Sequence, residues 1–307
     1  MRPRAGGRRW RAGVAWVALA FVWCAASAQL PEGVLTGTLH KVRASGEVAL
    51  GYREASIPFS FLSPRGEAIG YTIDLCRAVV DAMSTEVGRD LAIKWVPVTP
   101  DNRIKAVSSG QVDLECGSTT SNLERKKLVD FSPVIFVAGT KLLVKKGSPI
   151  KSFRDLAGRS VVVTAGTTNE NALRDLVARF KLNTTIATAR DHAESYAQLV
   201  EGKVDAFATD DVLLYGFIAL NKAQDQLTVV GDFLSYDPYG IMFRKDDPQL
   251  ASLVSKTLHE LAASREFEQT YNKWFLRQLP SGSRLNLPMS AQLSEIFRIM
   301  GSDAATQ

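Results

Sequence analysis

Short apolar runs alternate with amphipathic stretches along most of this chain. Residues 47–52 and 91–98 read as strands. Between them, residues 72–83 place Leu75, Ala78, Val79 and Ala82 on one face of a 3.6-residue period, which predicts a helix. Residues 102–109 predict a short helix ended by Gly110. Residues 112–115 follow as a strand, and 122–129 as a helix bearing Arg125. A second series begins at 160–164, a Ser-Val-Val-Val-Thr run of the kind buried on both faces. It continues with a helix at 168–180 (Leu173, Leu176, Val177 and Phe180 aligned), a strand at 184–187 and a helix at 193–200. A strand at 204–208 and a helix at 212–221 complete it. Strand–loop–helix repeats predict α/β architecture with a small, mostly parallel sheet in each series.

Two extended runs with little helical period, 131–145 and 239–244, separate the series. The amphipathic stretches 248–263 and 265–275 come after the second run and are expected to pack back on the first series. The expected organisation is therefore a discontinuous lobe, 29–135 plus 240–307, and an inserted lobe, 136–239. Two hinge crossover strands join them, so that the cleft between them can open and close. Residues 281–307 are expected to lie over the first lobe as a strap.

The N-terminus changes the charge argument. Arg2, Arg4, Arg8, Arg9 and Arg11 precede an apolar run from Ala12 to Trp23, and Ala26 and Ala28 offer small residues for cleavage before Gln29. The run is shorter than the roughly 20 residues that span a bilayer, and residues 1–28 read as a secretory signal peptide. The whole chain carries +5, and the leader holds five arginines and no acid, so the exported chain is neutral. The basic balance thus gives no reason to expect nucleic acid as a partner. Residues 29–307 suit two domains. Cys76 and Cys116 remain after cleavage, too few for a disulfide framework, and the reading favours two buried free thiols over a pair. Together with His40, His192 and His259 they show no metal-ligand spacing.

In open α/β sheets ligands sit beyond the carboxyl ends of strands. The polar residues there are Arg53 and Glu54, Arg103, Ser118 and Thr120 with Arg125, Thr167 and Thr168, His192, and Asp210. Arg125 offers a planar fork that matches a carboxylate. Gly166-Thr167-Thr168 opens a helix, and two readings stand together: anion binding by its N–H groups, or capping by a threonine. Asp210, taken alone, reads first as a cap and second as an ammonium acceptor. Taken singly, the arginines read as solvated and His192 as a capping or surface residue.

As a set, Gly117-Ser-Thr-Thr-Ser-Asn-Leu-Glu-Arg125, Gly166-Thr-Thr168 and Ala208-Thr-Asp-Asp211 resemble the substrate-binding proteins of polar amino-acid ABC transporters, solute-binding family 3. Residues 51–60, Asn102-Arg103-Ile104, Glu115–Thr120, Arg190-Asp-His192 and Pro238-Tyr-Gly240 are similar to its glutamate/aspartate-binding subgroup. The resemblance implies a two-lobed type II periplasmic binding protein, monomeric, without cofactor or metal, that gives an acidic L-amino acid to an inner-membrane ABC permease. By position, Arg125 would clamp the α-carboxylate with Ser118 or Thr120 and the Thr168 N–H. Asp210 would take the ammonium, and Arg53, Arg103 and His192 would surround the side chain. Such cations repel one another, and a second ligand carboxylate relieves the repulsion. Pro100 stands where the subgroup often has a ligand-contacting serine, which leaves open the choice between aspartate and glutamate. Alternatives are a receptor for another polar amino acid such as glutamine, a sensor acting through a separate protein, and a cyclohexadienyl-dehydratase-like enzyme. For that enzyme, His192, Glu54 and Glu115 would be the acid–base candidates.

Overall fold

The computed structural model describes residue 1 and residues 33–303; residues 2–32, which include the rest of the expected leader, and residues 304–307 lie outside the described residues. Helix α1 (Gly37–Ser45) leads into strand β1 (Glu47–Tyr52). Three very short strands, β2 (Ala55–Ser56), β3 (Ser60–Leu62) and β4 (Ala68–Ile69), form an antiparallel sheet of their own before helix α2 (Tyr71–Val87). Then come β5 (Ala92–Pro97), α3 (Arg103–Ser108) and β6 (Leu114–Glu115), followed by β7 (Val129–Phe131), β8 (Phe136–Ala138) and β9 (Thr140–Lys145). The next elements are β10 (Ser160–Thr164), α4 (Thr168–Phe180), β11 (Thr185–Ala189), α5 (His192–Val200), β12 (Ala206–Asp210), α6 (Asp211–Leu220) and β13 (Leu227–Val230). The chain ends with β14 (Asp237–Tyr239), β15 (Met242–Arg244), α7 (Pro248–Ala263), α8 (Glu266–Tyr271) and α9 (Ala291–Asp303).

Two five-stranded sheets organise these elements, in the orders β5-β1-β6-β15-β7 and β11-β10-β12-β9-β13. In the first, β1 runs parallel to β5 and β6, and β15 is antiparallel to both its neighbours. In the second, β10 runs parallel to β11 and β12, while β9 is antiparallel to β12 and β13. The chain passes between the sheets twice, through β8 and β14, and these two strands pair with each other antiparallel. Aromatic side chains pack that crossing. Phe59 meets the Phe136, Tyr239 and Phe275 rings edge-on at 4.9–5.7 Å, a favourable geometry for aromatic pairs.

Local chemistry explains the element ends that matter here. Thr167 caps α4 by accepting from the Glu170 N–H at 3.2 Å. Asp247 does the same for α7 at Leu250, with Pro248 in the first turn. Helix α2 stops at Gly88, whose φ of 70° is left-handed.

Three expectations need correction. Residues 122–129 are not a helix: the Asn122 side chain accepts from the Arg125 N–H at 2.9 Å, one tight turn follows (Arg125–Lys127), and the chain leaves as β7. The five-stranded sheets are not mostly parallel: each has two parallel and two antiparallel pairings, because β15 and β9, each following a crossover, run against both neighbours. Cys76 and Cys116 are not free thiols; they form a disulfide with Cα atoms 6.2 Å apart. The expected strap contains α9, whose Phe297 stacks on Phe267 of α8 at 4.4 Å.

The disulfide closes a loop of sequence separation 40. Replacing both cysteines with serine should lower stability by about 2–4 kcal/mol. The check is a denaturant titration of the variant beside the oxidised protein.

Candidate ligand-binding cleft

The carboxyl ends of the parallel strands in both sheets carry polar side chains, and the two sets face each other. From the first sheet, Arg53 follows β1, and its backbone N–H donates to Ser60 Oγ of the small hairpin at 2.8 Å. Arg103 opens α3 from a loop held by reciprocal bonds between Thr99 and Asn102. After β6 the chain turns at Gly117. There an added Cβ would stand 2.3 Å from Glu115 Oε1 and 2.9 Å from Arg53 Cγ, so a side chain at this turn would displace both charged groups. Arg103 Nη1 donates to Thr119 Oγ1 at 2.7 Å and to the Ser118 carbonyl at 3.3 Å; Thr119 in turn donates to Glu115 Oε2 at 2.6 Å. Arg125 Nη1 donates to the Thr120 carbonyl at 2.8 Å.

From the second sheet, His192 begins α5 and sits 2.7 Å from Thr164 Oγ1 through Nδ1. Asp210 ends β12 and accepts from Asn169 Nδ2 at 2.8 Å and from the Tyr239 hydroxyl. Contacts then join the two sets. Arg125 Nη2 reaches the Gly166 carbonyl at 3.4 Å, and Thr120 and Thr168 hydroxyls lie 3.3 Å apart. Asp237 Oδ1 on β14 accepts from both hydroxyls, at 3.2 and 2.9 Å. Gly166 has a φ of +73°, and a Cβ there would meet Asp101 Cα at 2.9 Å, so the bare backbone is what lets the two sides close.

Burial is nearly complete. Arg53, Arg103 and His192 are each 2% exposed, and Asp210 is 4%. Arg103 Nε, Glu115 Oε1 and Ser118 Oγ are buried with no partner among the described residues. Desolvation, then Arg103, pulls Arg53 and Arg125 down to about 9. Arg103 is lowered by desolvation as well. His192 lies well below its usual range through burial, then Arg53 and Arg103, so the ring is neutral. It is not the third cation the sequence argument counted. Burial and then Asp237 raise the Asp210 carboxyl to about 7.

The cleft thus gathers Arg53, Arg103, Ser118, Thr120, Arg125, Thr168, His192 and Asp210. Thr167 stands beside them with its hydroxyl already spent: it caps α4 and donates to the Thr164 carbonyl at 2.7 Å. Pro100 is buried, and its carbonyl lies 3.1 Å from where a Gly166 Cβ would be. Thr119, Asn169, Asp237 and Tyr239 were not singled out in the sequence for their side chains. Tyr239 lies in a quoted motif, but nothing local marks Asp237 as a bridge. Among the described residues no cluster of His, Cys, Asp and Glu is arranged to hold a metal ion.

Known proteins resemble this chain over most of its length. The L-glutamate/L-aspartate-binding protein of Pseudomonas aeruginosa is 44% identical over 284 residues, 92% of this chain and 94% of the relative. The glutamate/aspartate import solute-binding protein of Escherichia coli K12 is 40% identical over 85% of this chain and 87% of its own length. Among solved structures, an ancestral amino acid-binding protein described as a precursor of cyclohexadienyl dehydratase superposes with a TM-score of 0.68 at 33% identity. That match covers 78% of this chain and 99% of the other. Residues 48–277 match the model of the bacterial extracellular solute-binding proteins, family 3, and the chain belongs to that family.

Proposed function

We propose that this chain is a periplasmic receptor that captures L-glutamate or L-aspartate between its lobes and hands it to an inner-membrane ABC permease. The observation that carries this reading is the pair of buried guanidinium groups, Arg53 and Arg103, at one end of the cleft. Buried charges need partners. A ligand side-chain carboxylate provides one, and the amide of glutamine does not. The relatives named for glutamate and aspartate support the same choice. The proposed lobes are 29–135 with 240–307, and 136–239. Residues 1–28 are proposed as a cleaved signal peptide, and the mature receptor as a monomer.

The roles follow from the donors and acceptors at hand. Arg125 clamps the α-carboxylate, assisted by Ser118 Oγ and the N–H groups at the start of α4, where the helix leaves donors unused. Thr120 and Thr168 each give their single hydroxyl proton to Asp237. Their lone pairs therefore face outward as acceptors, which suits the ammonium group, whose counter-ion is Asp210. Arg53, Arg103 and neutral His192 hold the side-chain carboxylate.

Calorimetry on protein stripped of bound ligand should show saturable binding of glutamate or aspartate; no heat with either overturns the reading. Arg125→Ala should weaken every amino acid by about a hundredfold or more, since it leaves a buried carboxylate unpaired. Arg53→Ala and Arg103→Ala should instead narrow the preference for glutamate over glutamine by about tenfold or more.

Asp210 adds a pH dependence. Its carboxyl titrates at about 7, and a bound ammonium favours the ionised form, so binding expels a proton. Affinity should level off above about pH 7 and fall on acidification by up to about tenfold per unit. For folding alone the sign is opposite. The raised value stabilises the fold below the unfolded carboxyl range, and that contribution is lost as pH rises through about 7. Titrations between pH 5.5 and 8.5 should show the affinity trend in the parent and not in Asp210→Asn.

A further inference from the structure

We infer that Glu115 limits the side-chain end of the cleft to a ligand side chain bearing a single negative charge. The inference rests on the acidic amino-acid reading above and extends it from the sign of the side chain to its amount of charge.

Glu115 is the last residue of β6, in the middle of the first sheet, and is fully buried. One carboxylate oxygen takes the Thr119 hydroxyl, which also receives Arg103. The other has no hydrogen-bond partner among the described residues and lies over Gly117 beside the Arg53 stem. The carboxylate supports the charged forms of Arg53, Arg103 and Arg125 alike. A buried carboxylate with an oxygen left unbonded is costly unless nearby charge compensates it, and the guanidinium groups supply that charge.

The other charged groups facing this corner are matched elsewhere. Asp191 also acts on Arg53, but it is partly exposed, pairs with Arg190 at 3.1 Å and caps α5. Asp237 stands at the other end of the cleft on the Thr120 and Thr168 hydroxyls. Arg125 meets the ligand α-carboxylate, and Asp210 its ammonium; His192 and Tyr239 are neutral. What remains is Arg53 and Arg103 against Glu115, a net single positive charge. One ligand carboxylate neutralises it. A dianionic side chain would leave one buried negative charge unmatched, beside the bare Glu115 oxygen.

The test compares two ligands of similar shape and different charge. L-homocysteate ends in a singly charged sulfonate; O-phospho-L-serine ends in a phosphate that is nearly dianionic at pH 7.5, its second ionisation lying near 6. The native protein should favour homocysteate at pH 7.5. Its relative affinity for phosphoserine should rise as pH falls to 5.5, where the phosphate loses charge. The Asp210 effect is common to both ligands and cancels in the ratio. Glu115→Gln keeps the shape and should move the phosphoserine-to-homocysteate ratio toward phosphoserine by about tenfold or more. Glu115→Asp should retain the native ratio even if both ligands weaken. Equal weakening of both ligands in Glu115→Gln, or an unchanged ratio, overturns the inference and leaves Glu115 a packing and positioning residue. If Glu115→Gln does not fold, the pH series on the native protein decides: a ratio independent of pH overturns the inference. A native protein that binds neither glutamate nor aspartate sinks the receptor reading instead, which the glutamate control identifies separately.

Discussion

Guanidinium groups buried within reach of one another are the constraint to which the rest of this cleft answers. Removing a charge from water is expensive, and placing like charges together adds to the cost. Burial and mutual repulsion hold Arg53 and Arg125 near 9. That is still far enough above neutrality to keep them cationic, so the surroundings must bear the charge. They do so with backbone carbonyls at Ser118, Thr120 and Gly166, and with carboxylates, of which Glu115 acts on all three guanidinium groups while Asp191, Asp210 and Asp237 each act on one or two. At the Arg53 and Arg103 end Glu115 offsets only part of the positive charge, and on the proposed reading that difference is what favours an anionic side chain.

The covalent and backbone geometry nearby holds that arrangement in register. Cys116 is bonded to Cys76 on α2, so the strand end carrying Glu115 and the turn carrying Ser118 to Thr120 are tied to the largest helix of the first lobe. Gly117 sits immediately after the disulfide, and its lack of a Cβ makes room for the Glu115 carboxylate and the Arg53 stem. A site that depends on the spacing of like charges has to stand on elements that do not drift, because Coulomb repulsion changes with small displacements.

Much of this was legible in the sequence, and the failures have physical causes. The run at 160–164 and the helices at 168–180 and 248–263 have the predicted bounds, because a continuous apolar run or a strong amphipathic period leaves little choice. The β2–β4 sheet escaped because strands of two or three residues carry no period. Residues 122–129 carried a helical pattern, yet Leu123 and Leu128 are exposed and find no core, so an Asn122 cap and a single turn prevail. Strand ends located Arg53, Arg103, Arg125 and Asp210. Spacing could not reveal that Cys76 and Cys116 meet, or that His192 is neutral, because both follow from tertiary burial. Asp237 was missed for the same reason: its partners Thr120 and Thr168 come from opposite sheets.

Asp237 and Tyr239 also show how recognition is divided. Both lie on β14, one of the two strands that pass between the sheets. Asp237 orients a hydroxyl from each side, and Tyr239 holds Asp210. The acceptor end of the cleft, common to all amino acids on the proposed reading, is therefore built on a crossover strand. Any rotation about β8 and β14 would rearrange it, so a ligand that satisfies it stabilises the shut arrangement over others. Arg53, Arg103 and Glu115 stand instead on the first sheet and the helix beside it, bonded within that lobe. Their charge balance would pass through such a rotation nearly intact, losing chiefly the partners that face it from the second lobe. On the proposed reading, closure and side-chain choice are thus carried by different elements, and a change in the cation set would alter which amino acid is held without altering how the cleft shuts on it.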